Sequence, residues 1–242
     1  MRRLLLAVVV LLVVAVAADF GAARLFESRV ATALQRRYEL RERPIVQVRD
    51  VPFLPHLLSG RFSTIDVAAA DASTRGVTLA DLELHLREVA VPRSVLLGGR
   101  GRVRVARTDG EVRLSEAEIN RLLADRLRGG SLTLQTDRVR VRLRIEVLGR
   151  PLTATASGRL SVRAGRIAFT PETAQVEGVR NAALEAQLAS RFTFDVPLPA
   201  LPPGFTVERV DIEPAAALLT GRAGAVEIAA MRPARAGTLP AT

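Results

Sequence analysis

The chain has no cysteine and no tryptophan, one tyrosine and two histidines. Without cysteine there is no disulfide, no thiolate nucleophile and no thiolate metal site, so stability must come from apolar burial. Aromatics make up 4% of the residues, too few for a sheet that stacks nucleobases. His56 and His85 lack companions at ligand spacing, so no metal or cofactor is expected. Neither a Gly-x-Ser-x-Gly elbow nor a phosphate loop between strand and helix occurs. Gly98-Gly99-Arg100-Gly101 precedes a strand-like segment and reads as a turn. Lysine is absent as well: all 35 basic residues are arginine. That bias fits codon preference in a GC-rich genome better than a binding device. The net charge of +10 would still attract anionic lipid headgroups.

What the chain has is apolar residues, 48% of the total, enough for a real core. Met1-Arg2-Arg3 followed by the unbroken apolar run Leu4–Ala18 forms an export signal. The run is short for a span of about 20 residues. Ala15-Val16-Ala17 offers a cleavage site, and a helix continuing past Asp19 would instead make an uncleaved anchor. Both readings stand. Export also argues against any nucleic-acid partner. The expected organisation is a signal peptide or anchor over 1–19, one domain over 20–230 and a disordered tail over 231–242.

Phe20–Leu40 reads as an amphipathic helix with Ala23, Phe26, Val30, Ala33 and Leu34 on its apolar side and Glu27, Arg29, Arg36 and Arg37 opposite. Most of the remainder alternates. Leu82, Leu84 and Leu86 oppose Glu83, His85 and Arg87. Val103 and Val105 are predicted to pair with Val112 and Leu114 across an Asp109-Gly110 turn. Val139–Val147 is the longest clean strand, and Gly149-Arg150-Pro151 leads into Leu152–Ala156. Leu160–Val162 and Ile167–Phe169 form a hairpin through Ala164-Gly165. Ser115-Glu116-Ala117-Glu118 is a capping box that opens a helix bearing Ile119, Leu122, Leu123 and Leu127, ended by Gly129-Gly130. A second short helix is expected at Asn181–Ser190. The sum is α+β: an antiparallel sheet with one wet face, packed with a long N-terminal helix and shorter ones.

The segment Val51–Phe62, VPFLPHLLSGRF, stands apart. Pro52 and Pro55 exclude a central strand, and the segment is too broken to expect a regular helix. An apolar loop of this kind should cap a core or line the mouth of an apolar cavity.

Val46–Asp50, Pro52-Phe53-Leu54, Gly60-Arg61-Phe62 and the alternating Ser63–Ala69 together resemble the LmeA family of phospholipid-binding proteins of actinobacterial cell envelopes. Leu198–Phe205 followed by Val207–Ile212 is similar to the family's C-terminal part. The resemblance covers roughly Phe20 to Ile228. It implies a curled sheet and long helix clasping acyl chains, akin to the tubular lipid-binding (TULIP-like) folds. It implies non-catalytic phospholipid binding, lipid transfer or support of lipomannan-type glycolipid assembly outside the cytoplasmic membrane, in a periplasm-like space.

On that reading Pro52, Phe53, Leu54, Leu57, Leu58 and Phe62 guard the mouth, with Phe26, Val30, Leu122 and Leu123 as further lining. Arg49 and Arg61 would meet the headgroup phosphate. Each buried methylene stabilises by about 0.8 kcal/mol, so ten would give about 8 kcal/mol before ordering costs. The expected partners are phospholipid, the membrane surface and envelope glycosyltransferases. Two rivals remain: a scaffold for such a glycosyltransferase, and an envelope enzyme. Asp50 and Asp66 are an acidic pair, but nothing in their sequence setting suggests a shifted pKa. Arg138, Arg140, Arg142 and Arg144 line one side of a strand. They read as a wet face balanced by acidic neighbours, or as a contact for anionic lipid or glycan. Arg100, Arg102, Arg104 and Arg107 repeat the ambiguity.

Overall fold

The apolar run and the amphipathic segment after it are one helix. In the computed structural model, which describes residues 2–74, 77–97, 99–127, 129–147, 150–163, 166–177, 192–197 and 204–230, α1 spans Arg2–Tyr38 without a break at Asp19. No proline interrupts it, and its one glycine, Gly21, costs about 1 kcal/mol against alanine. From Val9 to Ala18 every residue is exposed, and the next, Asp19, is partly covered. The helix is long and apolar enough near its start to cross a membrane. Further on, Ala22, Ala23, Phe26, Val30, Ala31 and Leu34 pack into a core. Two expected positions differ. Ala33 is exposed and Ala31 is buried, because the line of contact drifts along the helix from Ala22 toward Leu34. Glu27 is turned toward the protein, where Oε1 accepts the Val48 N–H at 2.9 Å.

Next come β1 (Ile45–Val48), α2 (Phe53–Ser59), β2 (Arg61–Thr74), β3 (Val77–Ala90), α3 (Arg93–Leu96), β4 (Gly101–Ser115) and α4 (Glu116–Leu127). They are followed by β5 (Ser131–Gln135), β6 (Arg138–Val147), β7 (Arg150–Arg163), β8 (Arg166–Val176), β9 (Phe194–Pro197), β10 (Phe205–Glu213), β11 (Ala216–Ala223) and β12 (Val226–Ala230). The fold is α+β, as expected, with antiparallel sheets that do not close into a barrel. The strands form two sheets. One has the order β1-β2-β3-β4-β11-β10 with β12 on β4, and the other runs β5-β6-β7-β8-β9.

The chain divides into two compact units. The first comprises Met1–Ala68, Leu84–Thr108 and Gly224–Thr242, and the second Ala69–Glu83 and Asp109–Ala223. In the first, Phe53, Phe62, Ile65, Val89 and Val105 form the core under α1. In the second, Leu123 and Leu127 of α4 pack on Leu132, Val139, Val141 and Phe169.

Period-two patterning places the faces of β6 as expected. Val139 and Val141 have no exposed surface, and Arg138, Arg140, Arg142 and Arg144 face outward. The β7–β8 hairpin forms, with Val162 opposite Ile167. α4 starts where the capping box predicts, with Ser115 Oγ accepting the Glu118 N–H at 3.2 Å, and ends before Gly129 at φ 80°. The reciprocal half of the box is not made. Glu118 instead accepts the Thr78 N–H at 2.8 Å and pairs with Arg121. Helix side chains also close β5, the end strand of its sheet. Glu116 accepts the Leu134 N–H and the Asn120 amide bonds both polar groups of Leu132, each at 2.7 Å. An edge occupied in this way is poorly open to another chain's strand.

Asp109-Gly110 is not a hairpin turn: β4 runs through it. Val103 and Val105 face inward on odd positions, whereas Thr108, Gly110, Val112 and Leu114 are buried on even ones. This change of face imitates a chain reversal in the sequence. The partner of Val103 is Ile228 of β12, from far along the chain, so no local hairpin is needed. The helix expected at Asn181–Ser190 and the tail after Met231 lie outside the described residues.

Candidate lipid-binding site

The segment Val51–Phe62, expected to be irregular, contains the seven-residue helix α2. Pro55 is its third residue, where a missing N–H has no intrahelical partner to lose. Pro52 precedes the helix and supplies no side-chain cap. The cap comes from α1: Asp19 accepts the Phe53 N–H at 2.8 Å and the Leu54 N–H at 2.7 Å. Its negative charge also suits the positive end of a helix. Gly60 ends α2 at φ 68°, and its carbonyl accepts the Val91 N–H at 2.7 Å. A Cβ there would meet the Val91 oxygen at 2.2 Å, so glycine is required by both backbone and neighbour.

Phe26, Phe53 and Phe62 form a ring cluster with centroids 5.4 to 6.0 Å apart. Phe53 is 1% exposed and Phe62 2%, so both lie inside the core of the first unit. Phe26, Val30 and Leu57 are half-buried against the same cluster. Leu54 is half-buried as well, while Pro52 and Leu58 are exposed. Leu122 and Leu123 belong to the second unit, where Leu123 is buried in the core and Leu122 is half-buried. The structure therefore brings Phe26, Val30, Phe53, Leu57 and Phe62 together in one unit and places the α4 pair in the other.

The two arginines expected at a headgroup differ. Arg49 Nε lies 2.6 Å from Asp66 Oδ2, so its charge already has a partner. Arg61 is exposed beside α2, and its guanidinium has no partner among the described residues. His56, on α2, sits with Nδ1 3.0 Å from the Arg61 carbonyl and 3.9 Å from Asp50. Asp50 accepts the Ser63 N–H. Asp66 also meets His85 Nδ1 at 2.8 Å.

The unshifted behaviour expected of the acidic pair does not hold for Asp66. Burial pushes its pKa up, but the hydrogen bonds and charges of His85 and Arg49 outweigh this and hold it below its ordinary 3.8. A general acid needs the opposite shift. Glu118 is also held below its ordinary 4.5, by the Arg121 hydrogen bond first, which outweighs burial, with the Thr78 N–H and the Arg121 charge adding to it.

A pH prediction follows from these directions. Both carboxylates have folded pKa values below their unfolded ones, so their stabilisation is present above the unfolded values and lost as pH falls through the folded ones. The unfolding midpoint should be flat from neutrality to about pH 5 and fall below about pH 4. Glu118→Gln should flatten part of that acid slope in a thermal-unfolding series.

The arginine row on β6 is not balanced by acids directly opposite. Gln135, Thr133 and Ser131 flank it on β5, and Ser157, Thr155 and Thr153 on β7. Its four guanidinium groups have no ion pair among the described residues. In the other row, Arg102 and Arg104 both pair with Glu227 of β12.

The model of the LmeA-like phospholipid-binding family matches residues 17–222. The chain belongs to this family. No curated protein and no solved structure matches it. Membership in the LmeA-like family supports lipid binding in general, and binding rather than catalysis. Asp50 is tied to the Ser63 backbone and Asp66 to Arg49 and His85. No cluster of three or more metal-ligating side chains occurs among the described residues. The residue that sequence reasoning missed is Asp19. The available signal was negative: a helix opening on Pro52 has no cap of its own and must borrow one.

Proposed function

We propose that this LmeA-family protein binds phospholipid without catalysis at the outer side of the cytoplasmic membrane. In this role it supports the assembly of envelope lipid or lipomannan-type glycolipid. The family match over residues 17–222 carries the reading. The apolar start of α1 supports the membrane setting. Within the first unit, the half-buried Leu54, Leu57 and Phe26 are the aliphatic and aromatic surface for acyl chains, over a floor of Phe53 and Phe62. Arg61 is the cation for the phosphate, because Arg49 is committed to Asp66.

Native mass spectrometry of the full chain released from detergent tests this. Phospholipid masses should accompany the protein. Arg61→Ser should lower retained lipid several-fold without moving the unfolding midpoint, since its guanidinium has no partner among the described residues. A protein that carries no lipid and takes up no labelled phospholipid would refute the reading.

A further inference from the structure

The apolar run Leu4–Ala18 is too short for the hydrocarbon core of a bilayer. Fifteen helical residues rise about 22 Å, against about 30 Å needed. The next charge that points away from the protein is Arg24. Leu4–Ala23 would rise about 30 Å, and the one charged group within it is Asp19. Its carboxylate is occupied by two backbone N–H groups of α2. At this level α1 has one side against the first unit and the other, with Phe20 at 59%, exposed.

The first unit also exposes large apolar side chains just before α2, on α2 and after α3. Val51 is 75% exposed, Leu58 71% and Leu97 88%. The Asp19 junction places Phe20 and Val51 beside each other's elements. At the far end of α2, the Val91–Gly60 hydrogen bond and the Leu96 side chain, 3.8 Å from where a Gly60 Cβ would stand, bring α3 against the end of α2, and Leu97 follows directly in the chain. The chain segments 51–62 and 89–107 contain no acidic residue. Arg24, Arg61 and Arg93 are exposed and have no partner among the described residues. Exposed apolar side chains and exposed cations on the same segments match the boundary between acyl chains and anionic headgroups.

We infer that the first unit is seated in the outer leaflet of an anionic phospholipid bilayer, with Phe20, Val51, Leu58 and Leu97 inserted and Arg24, Arg61 and Arg93 at the phosphates. The inference rests on the proposed membrane setting, with α1 retained as the span. It makes α2 part of the membrane surface, so a phospholipid could pass to Leu54 and Leu57 without crossing water.

The absence of cysteine makes the test direct. Full-length Val14→Cys, Leu58→Cys, Leu97→Cys and Arg36→Cys are each labelled with an environment-sensitive fluorophore in vesicles of phosphatidylcholine and phosphatidylglycerol. Arg36 is the control, about 25 Å along α1 from Asp19. Labels at 14, 58 and 97 should be shielded several-fold from an aqueous quencher and quenched by brominated acyl chains. The label at 36 should show neither effect. Quenching at 58 and 97 equal to that at 36, with 14 still buried, would overturn the seating and leave the anchor intact. A label at 14 open to water would overturn the span and the seating with it. Lipid carriage, read separately by mass, is untouched by either result.

Discussion

Phe53→Ala is expected to destabilise the full chain by about 3–5 kcal/mol. The side chain is 1% exposed and stands between Phe26 and Phe62, with centroids at 5.5 and 6.0 Å. Truncation would leave a cavity that α1 cannot close while Asp19 holds the start of α2. Leu58→Ala, at a position 71% exposed, should change stability by no more than about 0.5 kcal/mol. Urea unfolding of both variants in detergent micelles separates them. Lower lipid content in Phe53→Ala would then be a consequence of a damaged core, and so would not by itself identify a lip. Equal stability of the two variants would place Phe53 outside the core and contradict the packing described above.

Asp19→Ala should cost about 2–3 kcal/mol, because two amides at the start of α2 lose a charged acceptor and little else can reach them. Hydrogen exchange gives the sharper readout. The Phe53 and Leu54 amides should lose protection, whereas the Val48 amide, held by Glu27, should keep it. Asp19→Asn should fall between, since one carboxamide oxygen cannot serve both amides as well as a carboxylate does. Unchanged exchange at Phe53 and Leu54 would show that α1 and α2 are not joined through this group. The result bears on function because Asp19 ties the end of the apolar segment to the helix that carries Leu54, Leu57 and Leu58.

Some features were legible because they depend on neighbours along the chain. The alternation from Arg138 to Val147 predicts which side chains of β6 are buried, since a strand sends successive residues to opposite faces. Ser115 and Gly129 bound α4 because capping and left-handed termination are local. The apolar run followed by an amphipathic stretch with no proline predicts helix on both sides of Asp19. The VPFLPHLLSGRF segment was legible as unusual, but its form was not. Pro55 breaks a helix only when it falls beyond the first turn, and the position of that turn depends on where capping begins. Asp109-Gly110 misled for a related reason. The same dipeptide fits a tight turn or a long strand that changes face, and the choice lies with β12, more than a hundred residues later.

The amino-acid sequence by itself determined the α+β composition, the apolar start of α1, the two faces of β6 and the family. These follow from periodicity, composition and motifs, which need no partner to be defined. Only the tertiary structure decided that Phe53 and Phe62 are core, that Arg49 is bound to Asp66 while the Arg61 guanidinium has no partner among the described residues, and that Asp19 caps α2. Burial and pairing are properties of what lies opposite a residue in space, and that is set by segments distant along the chain.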